Sequence, residues 1–143
     1  MKVVVVSESF NPWQEIAQYH KQLPPGQYGG TAVFVGTMRD FNDNNPILEM
    51  TLEHYPGMTE SHLEKICQQA IDRWHLIDAM IIHRVGNLLP DDPIVLVAAW
   101  SAHRKEAFEA GRYIIEDLKH SAPFWKKEKT TNGARWVETN TPS

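Results

Sequence analysis

A chain of 143 residues that is 42% hydrophobic and 22% charged has the make-up of one folded domain with a real core, which excludes a disordered or fibrous protein. Its longest apolar run, Ile94 to Trp100, is far short of the roughly 20 residues of a membrane span, and the four valines after Lys2 are too few for a signal-peptide core. The lone Cys67 excludes an internal disulfide or a cysteine-built zinc site, and a net charge of −4 argues against a general nucleic-acid binder, so a soluble, cytoplasmic single domain over residues 1–143 is expected.

Lys2 to Val6 reads as a first strand. Asn11 is placed as an N-cap, with Pro12 at the first helical position and Gln14 as capping partner, so a helix follows to about Gln22, stopped by Pro24-Pro25-Gly26. Gly29-Gly30 opens a second strand, Thr31 to Met38. Arg39 to Pro46 is dense in turn formers and predicts a polar, mobile loop. A third strand carries Ile47, Met50, Leu52 and Tyr55 and is closed by Pro56-Gly57. Between Thr59 and Trp74, the residues Leu63, Ile66, Cys67, Ala70, Ile71 and Trp74 fall on one helical stripe, which makes Cys67 a buried small hydrophobe rather than a nucleophile. Strands are predicted at Ile77 to Val85 and Pro93 to Ser101, around a turn at 89–92. A second amphipathic helix spans Arg104 to His120, with Ala107, Phe108, Gly111, Ile114, Ile115 and Leu118 inward. Phe124 to Thr131, the turn Asn132-Gly133 and Ala134 to Thr139 form a hairpin, because Asn-Gly accepts φ > 0 at both turn positions. The pattern is α+β, with a mixed or antiparallel sheet, two main amphipathic helices and a C-terminal hairpin.

No glycine-rich dinucleotide or phosphate loop, no Gly-x-Ser-x-Gly and no His-Glu-x-x-His is present, and the histidines lack metal-ligand spacing, so no metal site is expected. His54 and His83 fall in strands, where structural or surface roles are the better reading. From His103 to Arg135 eight basic residues stand against five acidic ones, a net +3 that leaves −7 for the rest of the chain. That asymmetry fits a local anion site or, equally, a solvated helix face. Ser101-Ala102-His103-Arg104 lies where a strand hands over to a helix, and free N–H groups, the helix dipole and the Arg104 fork all favour an anion there. Taken alone, a cap with a surface arginine explains the same residues. Lys119 follows Ile115 by four residues and Phe108 by eleven, so it borders the apolar stripe. A partly desolvated lysine has a lowered pKa and can act as nucleophile or acid/base; a snorkelling lysine at a helix C-terminus fits the spacing as well. In the strand after Pro123, alternation points Lys126 and Glu128 to one side and Lys127 to the other, so Lys126 can join Lys119. Arg39, after Gly36-Thr37-Met38, adds a cation from a facing loop. These cations at element ends suggest a small anionic substrate.

Five blocks occur in order: Gly36-Thr37-Met38-Arg39-Asp40, Leu52-Glu53-His54-Tyr55-Pro56-Gly57-Met58, His83-Arg84-Val85-Gly86, Ser101-Ala102-His103-Arg104 and Pro123-Phe124-Trp125-Lys126-Lys127-Glu128. Together, from about Gly30 to Val137, they resemble the large, catalytic subunit of molybdopterin synthase, the MoaE family. Met38 stands where a β-branched residue is expected. The resemblance implies an α/β-hammerhead fold, dimerisation through this subunit, and a heterotetramer with two small ubiquitin-like subunits. It further implies that the small subunit's C-terminal Gly-Gly thiocarboxylate enters a pocket of the large one. Two sulfurs would then pass in turn to cyclic pyranopterin monophosphate, making the dithiolene of molybdopterin with no permanently bound cofactor. Carried over by motif, Lys119 and Lys126 are catalytic. Arg39, His103 and Arg104 would bind the pterin phosphate, and Thr37, Met38, Lys127 and Glu128 would line the site. Two other classes stay open on the residues. A non-catalytic phosphate-ligand module would use Arg39 and Arg104 without any demand on Lys119. An RNA-binding protein would stack bases on the Phe124-Trp125-Lys126-Lys127 strand, against the net charge.

Overall fold

The computed structural model describes residues 1–42 and 45–137. In chain order the elements are β1 (Lys2–Val6), α1 (Pro12–His20), β2 (Gly30–Thr37), β3 (Phe41–Asn42), β4 (Asn45–His54), α2 (Met58–Trp74), β5 (Asp78–Arg84), β6 (Gly86–Leu88), β7 (Pro93–Ser101), α3 (Arg104–Ser121), β8 (Phe124–Thr130) and β9 (Gly133–Val137). One sheet has the order β1-β5-β7-β2, with β1 parallel to β5 and the other neighbours antiparallel. The other has the order β3-β4-β8-β9, with β6 also paired to β4. This is the α+β class that the pattern of elements predicts.

The first sheet is covered on both faces, which is why β5 and β7 read as near-continuous apolar runs rather than alternating ones. Ala79, Ile81, Val95, Val97 and Ala99 meet Leu63, Ile66, Cys67 and Ala70 of α2 and Ala110, Ile114 and Leu118 of α3. Met80, Ile82, Leu96, Ala98 and Trp100 point the other way, onto Tyr19 of α1 and Leu23. Cys67 is fully buried in the first of these cores, and burial pushes its thiol up to about 12, so it is no nucleophile. A third core joins Met50, Leu52 and Leu88 of the second sheet to Val85, Ile94 and Met38.

Several boundaries differ from the sequence expectation, each for a local reason. Helix α1 stops at His20, and Lys21, Gln22 and Leu23 close with i→i−3 bonds to Gln18, Tyr19 and His20. The polar segment after Arg39 is not a plain loop: Phe41 and Asn42 pair with Pro46 and Asn45, and Ile47 N donates to Asp40 O at 2.7 Å. Residues 43–44 lie outside the described residues. The strand expected over Ile77 to Val85 forms as β5, and just beyond it Gly86, at φ +90°, opens the unexpected β6, which pairs with β4. The hairpin turn sits one residue earlier than expected, because Thr130 pairs with Gly133 and leaves Thr131-Asn132 as the loop. Gly133 alone takes a positive φ, +112°, and the Thr130 hydroxyl accepts from Asn132 N and donates to Gly133 O. The predicted strand beyond Val137 lies outside the described residues. Phe108, expected inward, is 69% exposed. The stripe border that it shares with Lys119 is covered towards the C-terminal end of α3, where Ile115 and Leu118 are buried, but not at Phe108.

Candidate functional site

A cavity of about 450 Å³ opens where the end of β2, the β2–β3 connection, the C-terminal half of α3 and β8 converge. Its floor is apolar (Phe34, Ile47, Met50, Ile94, Ile115), and its polar groups include Thr37, Arg39, Asn42, Lys119, Lys126 and Glu128, with Arg112, Glu116 and His120 of α3 also lining it. A bulge between Gly36 and Thr37 ends the β2–β7 ladder and turns the chain towards the cavity. Met38, 4% exposed, is then clamped by its backbone: its N–H donates to Asp92 O and its carbonyl accepts from Asp91 N, both at 2.9 Å. Asp92 is held in turn by Arg84 Nη1 at 3.1 Å and by Leu89 N at 2.9 Å. This fixes the stem of Arg39, whose guanidinium lies 4.9 Å from the centre of the Phe41 ring.

Helix α3 delivers Lys119 to the cavity on the turn after Ile115, and strand β8 delivers Lys126 and Glu128 on its inward face. Burial pulls the Lys119 amine down to about 8, and the neighbouring Lys126 adds to the effect. Lys126 is also held below the usual lysine range, first by burial; Glu128 opposes the shift and Arg39 reinforces it. Glu128 is 5% exposed and accepts from Asn42 Nδ2 at 3.0 and 3.2 Å, with Arg135 Nη2 at 3.5 Å. The buried carboxylate thus ties β3, β8 and β9 together and partly offsets the lysine charge. With a pKa near 8, about a quarter of the Lys119 amine is neutral near pH 7.5, against ~0.1% for an ordinary lysine. The site can therefore hold an anion and offer an unprotonated amine beside it.

The structure brings Thr37, Met38, Arg39, Lys119, Lys126 and Glu128 into this one cavity. Three predicted residues lie elsewhere in the chain. Lys127 is exposed on the opposite face of β8, its amine 5.7 Å from the Trp136 ring centre. His103 and Arg104 are exposed at the start of α3, about 22 Å of helix rise before Lys119. They pack over Gly30, where an added Cβ would stand 3.2 Å from Arg104 Cα. Residues that sequence reasoning missed are Phe34, Phe41, Asn42, Glu116 and Arg112. Of these, only Glu116 and Arg112 carried a signal, their i,i+4 spacing on the helix face that also holds Lys119; the pair is joined at 2.9 Å.

A largely apolar cavity lined by several cations, with one amine held well below the usual lysine range, can hold a small anion beside a reactive amine. A family model described as "MoaE protein" matches residues 5–121. The chain is 53% identical over 139 residues to the molybdopterin synthase catalytic subunit of Ralstonia nicotianae, covering 96% of this chain and 78% of that one. It superposes on the molybdopterin biosynthesis MoaE protein from Burkholderia ambifaria with a TM-score of 0.81 at 42% identity, covering 99% and 92% of the two chains. On the molybdopterin synthase from Staphylococcus aureus it superposes with a TM-score of 0.82 at 31% identity, covering 93% and 94%. The chain belongs to the MoaE family.

Proposed function

We propose that this chain is the catalytic subunit of a molybdopterin synthase. It would move sulfur from the thiocarboxylated C-terminus of a small ubiquitin-like partner to cyclic pyranopterin monophosphate, forming the dithiolene. The observation that carries this reading is the buried Lys119 amine, its pKa lowered to about 8, beside Lys126 and Arg39 in one cavity of a MoaE chain. The thiocarboxylate sulfur bonds to a pterin carbon as a carbon–oxygen bond there breaks, and water or the Lys119 amine then takes the acyl group, so that the acyl–sulfur bond breaks and the sulfur stays with the pterin. Arg39 and Lys126 suit the phosphate and the charge gathering on the acyl oxygen. Neutral Lys119 suits either attack on the acyl carbon or uptake of a proton. A phosphate-binding module would have no use for the desolvated Lys119.

The reading also accounts for His103 and Arg104. Strand β2 is the edge of its sheet, with Val33 and Phe34 exposed on it and Phe108 exposed above it on α3. If two copies meet there antiparallel about Val33 and Phe34, the Gly30 end of one β2 lies beside the Thr37 end of the other. Then His103 and Arg104 of one protomer join Thr37, Arg39 and Lys119 of its partner, completing a phosphate pocket across a homodimer. The test is incubation with thiocarboxylated small subunit and pterin precursor. Dithiolene product supports the assignment, and its absence with an assembled complex rejects it.

A further inference from the structure

Phe41 is out of keeping with its segment. It is the one apolar side chain in the run from Arg39 to Asn45, and it stands 50% exposed on β3. Half of its surface thus stays in water, where a polar turn former would serve the segment as well. Its backbone is held on both sides. Before it, Asp40 O accepts from Ile47 N at 2.7 Å, and Phe41 itself pairs with Pro46 of β4. After it, Asn42 Nδ2 donates to the buried Glu128 carboxylate at 3.0 and 3.2 Å. The ring lines the cavity and lies under the guanidinium of Arg39, whose Cζ is 4.9 Å from the ring centre. Arg39 is exposed, yet close enough to Lys126 to help hold that amine below the usual lysine range.

We propose that Phe41 is a positioning residue for anion binding: the face of its ring holds the Arg39 guanidinium at the cavity, so that Arg39 meets an incoming phosphate already oriented. The attraction is between the positive guanidinium and the negative face of the ring. It engages the charge without using an N–H, and so leaves the planar fork for the oxygens of an anion. A carboxylate partner would fix the arginine too, but it would occupy those donors and cancel the charge that draws the anion. Fixing matters because an exposed arginine samples many rotamers, and freezing them during binding costs affinity unless it is done beforehand. Phe41 thus acts through Arg39 and need not touch the ligand. That the anion is the phosphate of cyclic pyranopterin monophosphate rests on the sulfur-transfer reading; the contact between ring and guanidinium does not.

The test is calorimetric titration of cyclic pyranopterin monophosphate into the full native chain, Phe41→Leu, Phe41→Tyr, Arg39→Ala and the double variant Arg39→Ala with Phe41→Leu. Leucine keeps an apolar side chain but has no ring face, so the Kd of Phe41→Leu should rise about two- to fivefold, the usual worth of an exposed cation–π contact. Phe41→Tyr should bind as the native chain does, and in the Arg39→Ala background the leucine should change nothing more. An unchanged Kd in Phe41→Leu overturns the proposal. So does a loss of the same size with and without Arg39, which would mean that the ring meets the ligand itself or only shapes its segment. Should the native chain not bind the precursor, the substrate reading fails on its own, and inorganic phosphate titrated under NMR decides the proposal. Native chain and Phe41→Tyr should then bind phosphate alike, and Phe41→Leu more weakly by the same factor. Equal affinity in all three, or binding in none, overturns it.

Discussion

Lys119 combines two properties that a surface lysine lacks, a depressed pKa and a place in a cavity of matching charge. Its position on the border of the helical stripe was legible in the sequence, because the 3.6-residue period fixes which positions flank a buried face. The setting of Glu128 was not, because Asn42 and Arg135 reach it from other strands and no local pattern encodes that contact. At this scale the phosphate assignment predicts that Arg39→Ala weakens precursor binding by about 1.5–3 kcal/mol, the worth of a lost charge-assisted hydrogen bond. Calorimetric titration of precursor into the variant checks it, and unchanged affinity removes Arg39 from the site. His83 carries a separate prediction. Its folded pKa near 3 lies below the unfolded value, so between those values the unfolded chain binds the extra proton and stability falls as the pH drops through the window. Replacing His83 with Phe should flatten the acid side of the stability curve by up to ~1.4 kcal/mol per pH unit, measured by denaturant unfolding at a series of pH values.

Among the elements, the long amphipathic helices and the buried strands were readable because burial on defined faces leaves a periodic mark. The short pieces β3 and β6 were not, since strands of two and three residues are decided by their partners on β4. The Asn132-Gly133 pair also misled: the turn formed one residue earlier, where the Thr130 hydroxyl satisfies the loop and only Gly133 needs a positive φ. Close approach of elements shows the same dependence on long-range partners. Gly29 N donates to Ser101 O at 2.9 Å, and a Cβ on Gly29 would run into the Ala102 carbonyl. Gly29→Ala should therefore displace the start of α3, where His103 and Arg104 stand. A loss of about 1–3 kcal/mol in thermal or denaturant unfolding is expected from overpacking against backbone. A variant as stable as its parent would show that this junction yields at no cost.

At the scale of the whole molecule, one chain supplies only part of the predicted anion site, because α3 carries Arg104 at one end and Lys119 at the other. A shared site makes a quantitative prediction. Lys119→Ala chains and Arg104→Ala chains, each inactive alone, should regain about a quarter of native activity when mixed as unfolded chains and refolded together. Random pairing makes half the dimers mixed, and each mixed dimer has one intact site of two. No recovery, with mixed dimers present by native mass spectrometry, would show that each site draws both residues from one chain and contradict the shared site. The most direct test of the sulfur-transfer account is a single-turnover reaction of the complex assembled from thiocarboxylated small subunit and native, Lys119→Arg or Lys119→Ala large subunit, with assembly verified by gel filtration. Arginine keeps the charge but cannot supply a neutral amine, so both variants should assemble normally and form almost no dithiolene. Near-native product from Lys119→Ala would contradict the account.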